Sequence, residues 1–182
     1  MTGADIIGEY TRCALPGDNI LRGLAAAGVD LAALELRWRH DPHLVPRASR
    51  VEYFGNRHFE FAGDRHGSIG ALVFGVLDEA RRLVDLCAWS PPRSPVLWLG
   101  RGSMLGAEQA FGPRMRDEIH VHRTPLGWLR NNCRGLVPID PISAGDLLWR
   151  ARPLLAEDQR HARELRAKTT RPPAKIMFRA AA

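Results

Sequence analysis

A chain of 182 residues, 45% hydrophobic and 25% charged, is long enough for one domain with its own core, and that balance excludes wholesale disorder. No apolar run approaches the roughly 18 residues of a membrane-spanning helix, and Met1 to Tyr10 carries Asp5 and Glu9 instead of the basic-then-apolar order of a signal peptide. Cys13, Cys87 and Cys133 are odd in number and widely spaced, which argues against a disulfide framework or zinc knuckle and leads us to expect a cytoplasmic protein with no metal and no other cofactor.

The formal net charge is +6, from 26 Lys and Arg against 20 Asp and Glu. From Arg150 onwards nine basic residues meet three acids, so the last 33 residues carry the whole imbalance and residues 1–149 are balanced. A positive field confined to one end attracts polyanions, whether nucleic acid or an acidic protein surface. Only Lys168 and Lys175 are lysines. Arginine's planar fork suits phosphate, although the codon bias of a GC-rich genome is the favoured account of Arg over Lys; an origin in a phage or mobile element is a separate expectation. Codon bias does not account for the segregation.

The first 45 residues read as helical. Ile6, Ile7 and Tyr10 recur at helical spacing up to Pro16; Asp18 is expected to cap a second helix, Asn19 to Ala27, which Gly28 stops. Leu31 to Trp38 fits a helix or a strand, and His40 to Pro46 reads as a loop. Val51–Phe54 and His58–Phe61 flank Gly55-Asn56 in a hairpin pattern, and Ala71–Leu77 with Leu83–Trp89 forms a second. Ser90 to Pro95 is rich in proline and is a candidate internal boundary. Beyond it, strands at Val96–Leu99, Ile119–Arg123, Leu136–Ile139 and Leu154–Leu155 alternate with helices at Met104–Phe111, Pro125–Cys133, Ser143–Arg150 (with Ser143 as cap) and Asp158–Lys168. Such alternation implies βα units on a partly parallel sheet. The expected fold is α+β: a helical N-terminus, an antiparallel hairpin region, then βα units. One domain is expected over 1–150, with a basic helix and tail over 151–182.

Candidate sites fall into two groups. Arg160, Arg163 and Arg166 recur every three residues along one helix, and Lys168, Arg171, Lys175 and Arg179 continue the charge past Pro172-Pro173. A helix this polar is either solvated or lies against a charged partner. Ile176, Met177 and Phe178, set among those charges, read as an edge strand or a docking tail.

The second group sits at strand ends. Gly100-Arg101-Gly102-Ser103 would let backbone approach an anion, with Arg101 as phosphate ligand; the dinucleotide fingerprint, however, asks for Gly where Leu105 stands, so a plain tight turn competes. His120 and His122 share one face of a strand, where two imidazoles could bind a metal or serve acid–base chemistry; no metal-ligand spacing accompanies them, and ordinary surface or hydrogen-bonded core histidines are the favoured reading. Asp140 follows a strand, as do Glu157 and Asp158, where carboxylates also act as turn or helix-start residues. No serine lies in a nucleophile elbow and no cysteine has an activating context. The tryptophans read as core anchors more than as base-stacking platforms.

The leading expectation is therefore a non-enzymatic binding protein acting on nucleic acid or a nucleic-acid-handling complex. The alternatives are a nucleotide-binding or hydrolytic enzyme using Arg101, His120, His122 and Asp140, and a protein-interaction module, an inhibitor or assembly factor, that meets an acidic partner.

Overall fold

The computed structural model describes residues 5–55, 58–63, 65–111, 118–151 and 153–169. Three helices open the chain: α1 (Ile6–Arg12), α2 (Asp18–Ala26) and α3 (Leu31–His40). Asp5 accepts a hydrogen bond from the Gly8 amide to cap α1, and Asp30 accepts one from the Ala33 amide to cap α3. That cap, with fully buried Leu34, makes the ambiguous 31–38 segment a helix. In α2 the capping position belongs to Gly17, and Asp18 is the first helical residue. The expected Asp18 cap is thus one place late.

Five strands then close into a barrel: β1 (Arg47–Phe54), β2 (His58–Phe61), β3 (Ile69–Leu77), β4 (Leu83–Trp89) and β5 (Val96–Leu97), in the order β1-β2-β5-β4-β3. Both expected hairpins are present, with Val51 opposite Phe61 and Val73 opposite Ala88. β5 pairs antiparallel with β4 and parallel with β2, so the proline-rich 90–95 segment connects two strands of one barrel.

The long apolar run of β3 has a simple cause: both of its faces are covered. Ala71 and Val73 join Val51, Phe59, Leu86 and Tyr10 in one core cluster. Leu72, Phe74 and Val76 face a second, built with Leu24, Leu34, Trp128 and Leu129 from the flanking helices. Strict two-residue alternation sends successive side chains to opposite faces, and from Ala71 to Leu77 both faces of β3 are buried.

The rest of the chain adds β6 (Met104–Leu105), β7 (Ile119–Val121), α4 (Pro125–Arg130), β8 (Val137–Pro138), α5 (Pro141–Arg150), β9 (Leu154–Ala156) and α6 (Gln159–Thr169). The helix expected over Met104–Phe111 is instead a strand followed by a single turn at Ala107–Gln109. Met104 and Leu105 pair with Pro138 and Val137, and Gly106 turns the chain at φ +79°. α5 is capped by Asp140, not by Ser143: the Asp140 carboxylate accepts from the Ile142 and Ser143 amides.

β7 and β9 pair in parallel, Ile119 with Leu154 and Val121 with Ala156. Ile119, Val121, Leu136, Leu147, Leu148 and Leu165 form a third buried cluster over this pair. β9 and α6, from the basic C-terminal stretch, thus supply part of a core. The whole is α+β with parallel and antiparallel pairing. Among the described residues no helix is long and apolar enough to cross a membrane.

Candidate nucleic-acid interface

α6 is eleven residues long, and what it buries decides what it shows. His161 and Leu165 are its buried residues. At about 100° per residue, these two centre about 180° away from the centre of Arg160, Arg163 and Arg166. The arginines therefore form an exposed ridge on the face opposite the core. Arg160 is tethered by Glu164 one turn on, Nε to Oε1 at 3.0 Å, while Arg163 makes no ion pair among the described residues. Lys168 is exposed near the helix end, where cations suit the helix dipole. Arg171, Lys175 and Arg179, and the Ile176–Phe178 segment, lie outside the described residues.

The start of α6 is clamped to β7 by a charged cluster. Arg123 grips Asp158 with both guanidinium prongs, at 2.6 and 3.0 Å, and reaches Glu157 at 3.3 Å. Asp158 in turn accepts from the His161 amide at 2.8 Å. These bonds, Arg123 first, hold the Asp158 carboxyl well below the usual carboxylate range. Arg123 is thus shared among Asp158, Glu157 and, at 3.6 Å, Glu164, with Asp158 its two-pronged partner.

His120 and His122 do share a face, their rings parallel with centroids 6.1 Å apart, yet their surroundings differ. His120 is exposed. His122 is buried, its Nε2 3.0 Å from the Arg134 carbonyl and its Nδ1 3.6 Å from Glu157. Burial lowers its pKa. Gly135, at φ +95°, lets that loop press against β7: a Cβ there would sit 2.3 Å from the His120 carbonyl oxygen. His122 reads as a pinned structural imidazole. Among the described residues no group of three or more His, Cys, Asp or Glu is placed to hold a metal ion.

The Gly100-Arg101-Gly102 loop has its own explanation. Asp85, fully buried at the start of an apolar strand, accepts from the amides of Leu86 and Leu99 through Oδ1 and from those of Arg101 and Gly102 through Oδ2. The amides that would cradle a phosphate are spent on this carboxylate. Gly102 is required for packing, since a Cβ would meet Val76 at 2.5 Å. The Arg101 side chain is exposed and lines a cleft of about 220 Å³ with Ser103, Ser143 and Arg150, but also with Asp78 and Glu79, which oppose an anion.

Asp140 joins that neighbourhood, its amide donating to the Ser103 carbonyl at 3.0 Å. Its carboxylate caps α5; partial burial works to raise its pKa, and hydrogen bonds from Ser143 outweigh that and lower it. So Asp140 is tied by its backbone to Ser103, two residues from Arg101, and of the two histidines it is His122 that stands near Glu157. All three thiols are buried, and burial pushes Cys133 up to about 12, far from a nucleophile's range.

Three features went unread in the sequence. Asp85 left a signal, a lone carboxylate inside an apolar strand. Arg123 left none, because its partners lie more than 30 residues away. The last is an open groove of about 370 Å³ between β9 and α6, floored by Leu154, Leu155, Ala156, Ala162 and Leu165 and rimmed by Gln159 and Arg166. Trp128 and Trp89 are buried anchors as expected, whereas Trp149 is 55% exposed. Comparisons with protein-family models, with curated proteins and with solved structures find no match for this chain.

Proposed function

We propose that this protein is a non-enzymatic binder of nucleic acid, or of a complex that handles it, and that α6 is its contact surface. The observation that supports this reading is the arrangement of Arg160, Arg163 and Arg166 opposite the buried His161 and Leu165. Packing fixes the helix on one side and leaves a guanidinium row on the other, spaced to follow a run of phosphates. The sequence's excess positive charge continues from the same element. Phosphate contact provides most of the affinity of such binders and is salt-dependent through counterion release.

The test is affinity for a labelled oligonucleotide across a salt series, for the parent and for the triple variant Arg160→Glu, Arg163→Glu, Arg166→Glu. The parent should bind at low salt and release steeply as salt rises. The variant should lose binding and show a flatter slope, by roughly one unit per lost phosphate contact. Equal binding at every salt concentration would remove α6 from the interface.

A further inference from the structure

Six glycines lie inside helices or strands among the described residues, and four of them have a reason in the fold. A Cβ on Gly8, Gly75, Gly127 or Gly145 would stand no more than 3.0 Å from another atom, such as the His43 carbonyl oxygen at Gly75. Gly23 in α2 and Gly70 in β3 have no such neighbour. A Cβ on either would meet nothing within 4 Å, and neither residue is at positive φ. Glycine weakens the interior of a helix or strand, so both positions carry a cost that no contact within the chain offsets. Both line the same groove, about 340 Å³ in volume, between α2, the paired ends of β3 and β4, and α4. Its walls are Ile20, Leu24, Leu72, Trp89 and Leu126, and among the described residues no charged side chain lines it.

Charge stands beside this groove instead of in it. Arg130 follows Leu126 by one turn of α4 on the same face, and its Nε donates to the carbonyl of Ala27, itself a lining residue, at 2.6 Å. Arg50 stands opposite Gly70 in the β1–β3 register, hence on the same face of the sheet. Its guanidinium bonds to the hydroxyl and carbonyl of Ser68, both uncharged. Among the described residues neither arginine meets a carboxylate. An uncharged apolar slot flanked by guanidinium groups that lack a counter-charge is complementary to a molecule with an apolar body and an anionic head. We infer that the groove binds a small amphiphilic carboxylate. Its acyl chain lies over Gly23 and Gly70 against Leu24 and Leu72, and its head meets the Nη groups of Arg130, whose Nε alone is engaged. The volume is at the small end of the range for small-molecule sites. A docked helix, about 10 Å across with its side chains, is too wide for it. The site uses no part of α6 and goes beyond the nucleic-acid reading.

The experiment follows the backbone amide resonances of Gly23 and Gly70 in the isotopically labelled full chain while octanoate, octanol or acetate is added. Octanoate should shift both amides and reach saturation. Octanol, with the chain but no charge, should bind at least about tenfold more weakly, as expected for loss of a charge-assisted contact. Acetate, the head alone, should shift neither. Gly23→Leu fills the groove and favours the helix, so it should abolish octanoate binding without lowering the urea midpoint. Arg130→Gln should bring octanoate down to the affinity of octanol, and Arg130→Lys should keep most of the difference. Equal affinity of the parent for octanoate and octanol overturns the proposal, as does octanoate binding retained by Gly23→Leu. Amides that ignore octanoate also overturn it. So do amides that move with protein concentration alone, which would make a second copy of the chain the occupant. The comparison of the three probes on the parent protein decides the matter even where a variant fails to fold.

Discussion

Arg123 and Asp158 form a two-pronged ion pair, Nη1 to Oδ2 at 2.6 Å and Nη2 to Oδ1 at 3.0 Å, across 35 residues of sequence. The pair joins the end of β7 to the start of α6, and Asp158 passes the constraint on by accepting from the His161 amide. A planar guanidinium meeting a carboxylate edge-on is the ion-pair geometry that constrains both partners. It holds the first turn of the basic helix against the βα core.

Replacing Arg123 with Met should therefore loosen that turn without unfolding the protein. Amide exchange should quicken in residues 159–163 and stay unchanged in β3 and β4. Arg123→Lys should not restore protection, since an ammonium cannot make the two-pronged contact. Unaltered exchange in the Met variant would show that core packing alone holds the helix.

Asp85 is the most demanding polar group in the fold. Asp85→Ala would leave four amides without their acceptor beneath the Gly100–Gly102 turn, and the expected loss is about 2–4 kcal/mol in urea unfolding. Asp85→Asn keeps one carbonyl oxygen and should lose less. A change under about 0.5 kcal/mol for Ala, the range of ordinary surface substitutions, would contradict a structural role for the loop.

Stability should fall between neutral and mildly acidic pH. His161 is held below the ordinary 6.5 by burial first and then by the charge of Arg123, with Glu157, Glu164 and Asp158 opposing. Its Nδ1 accepts the Glu157 amide at 3.2 Å and needs a lone pair to do so. Burial likewise lowers His122, with the Arg134 carbonyl and Glu157 working against it and His120 with it. A depressed histidine pKa means that the unfolded chain takes up protons first. Stability is thus complete above about 6.5 and declines as pH falls toward the folded-state values. The urea midpoint should be lower at pH 5.5 than at 7.5, and His161→Asn, whose Oδ1 can accept the same amide, should flatten the difference. Asp158 loses its contribution only in the carboxylate range, well below this window.

Leu165 ties α6 to the third core cluster. Leu165→Ala should cost about 2–4 kcal/mol. Removal of everything after Arg150 should leave Ile119, Val121, Leu147 and Leu148 uncovered, giving early proteolysis and loss of near-ultraviolet dichroism. A truncated chain that unfolds at the parent's urea midpoint would show that β9 and α6 contribute nothing to the core.

Local chemistry alone placed most of the elements. The hairpins at Val51–Phe61 and Ala71–Trp89 follow from β-rich runs around short turns, and α4 from Pro125 at its first turn. The arginine spacing of α6 needed only helical geometry. The same local logic misassigned Met104–Phe111, where strand pairing with Val137 and Pro138 overrides an apolar run that fits a helix, and it put the caps of α2 and α5 on the wrong residues by one and three places.

What only the tertiary structure decided is which groups are already spoken for. Gly100-Arg101-Gly102 is a spent loop because Asp85, distant in sequence, takes its amides. His122 is pinned by a carbonyl and buried, while its strand neighbour His120 stays in water. Asp158 at the start of α6 is held by Arg123, and Arg160 on its outer face is tied to Glu164. The groove beside them arises only in the fold, where β9, paired with β7, and α6 come to line one space. Charge, period and turn chemistry are properties of neighbours along the chain; hydrogen-bond satisfaction and burial depend on neighbours in space, which the fold alone supplies.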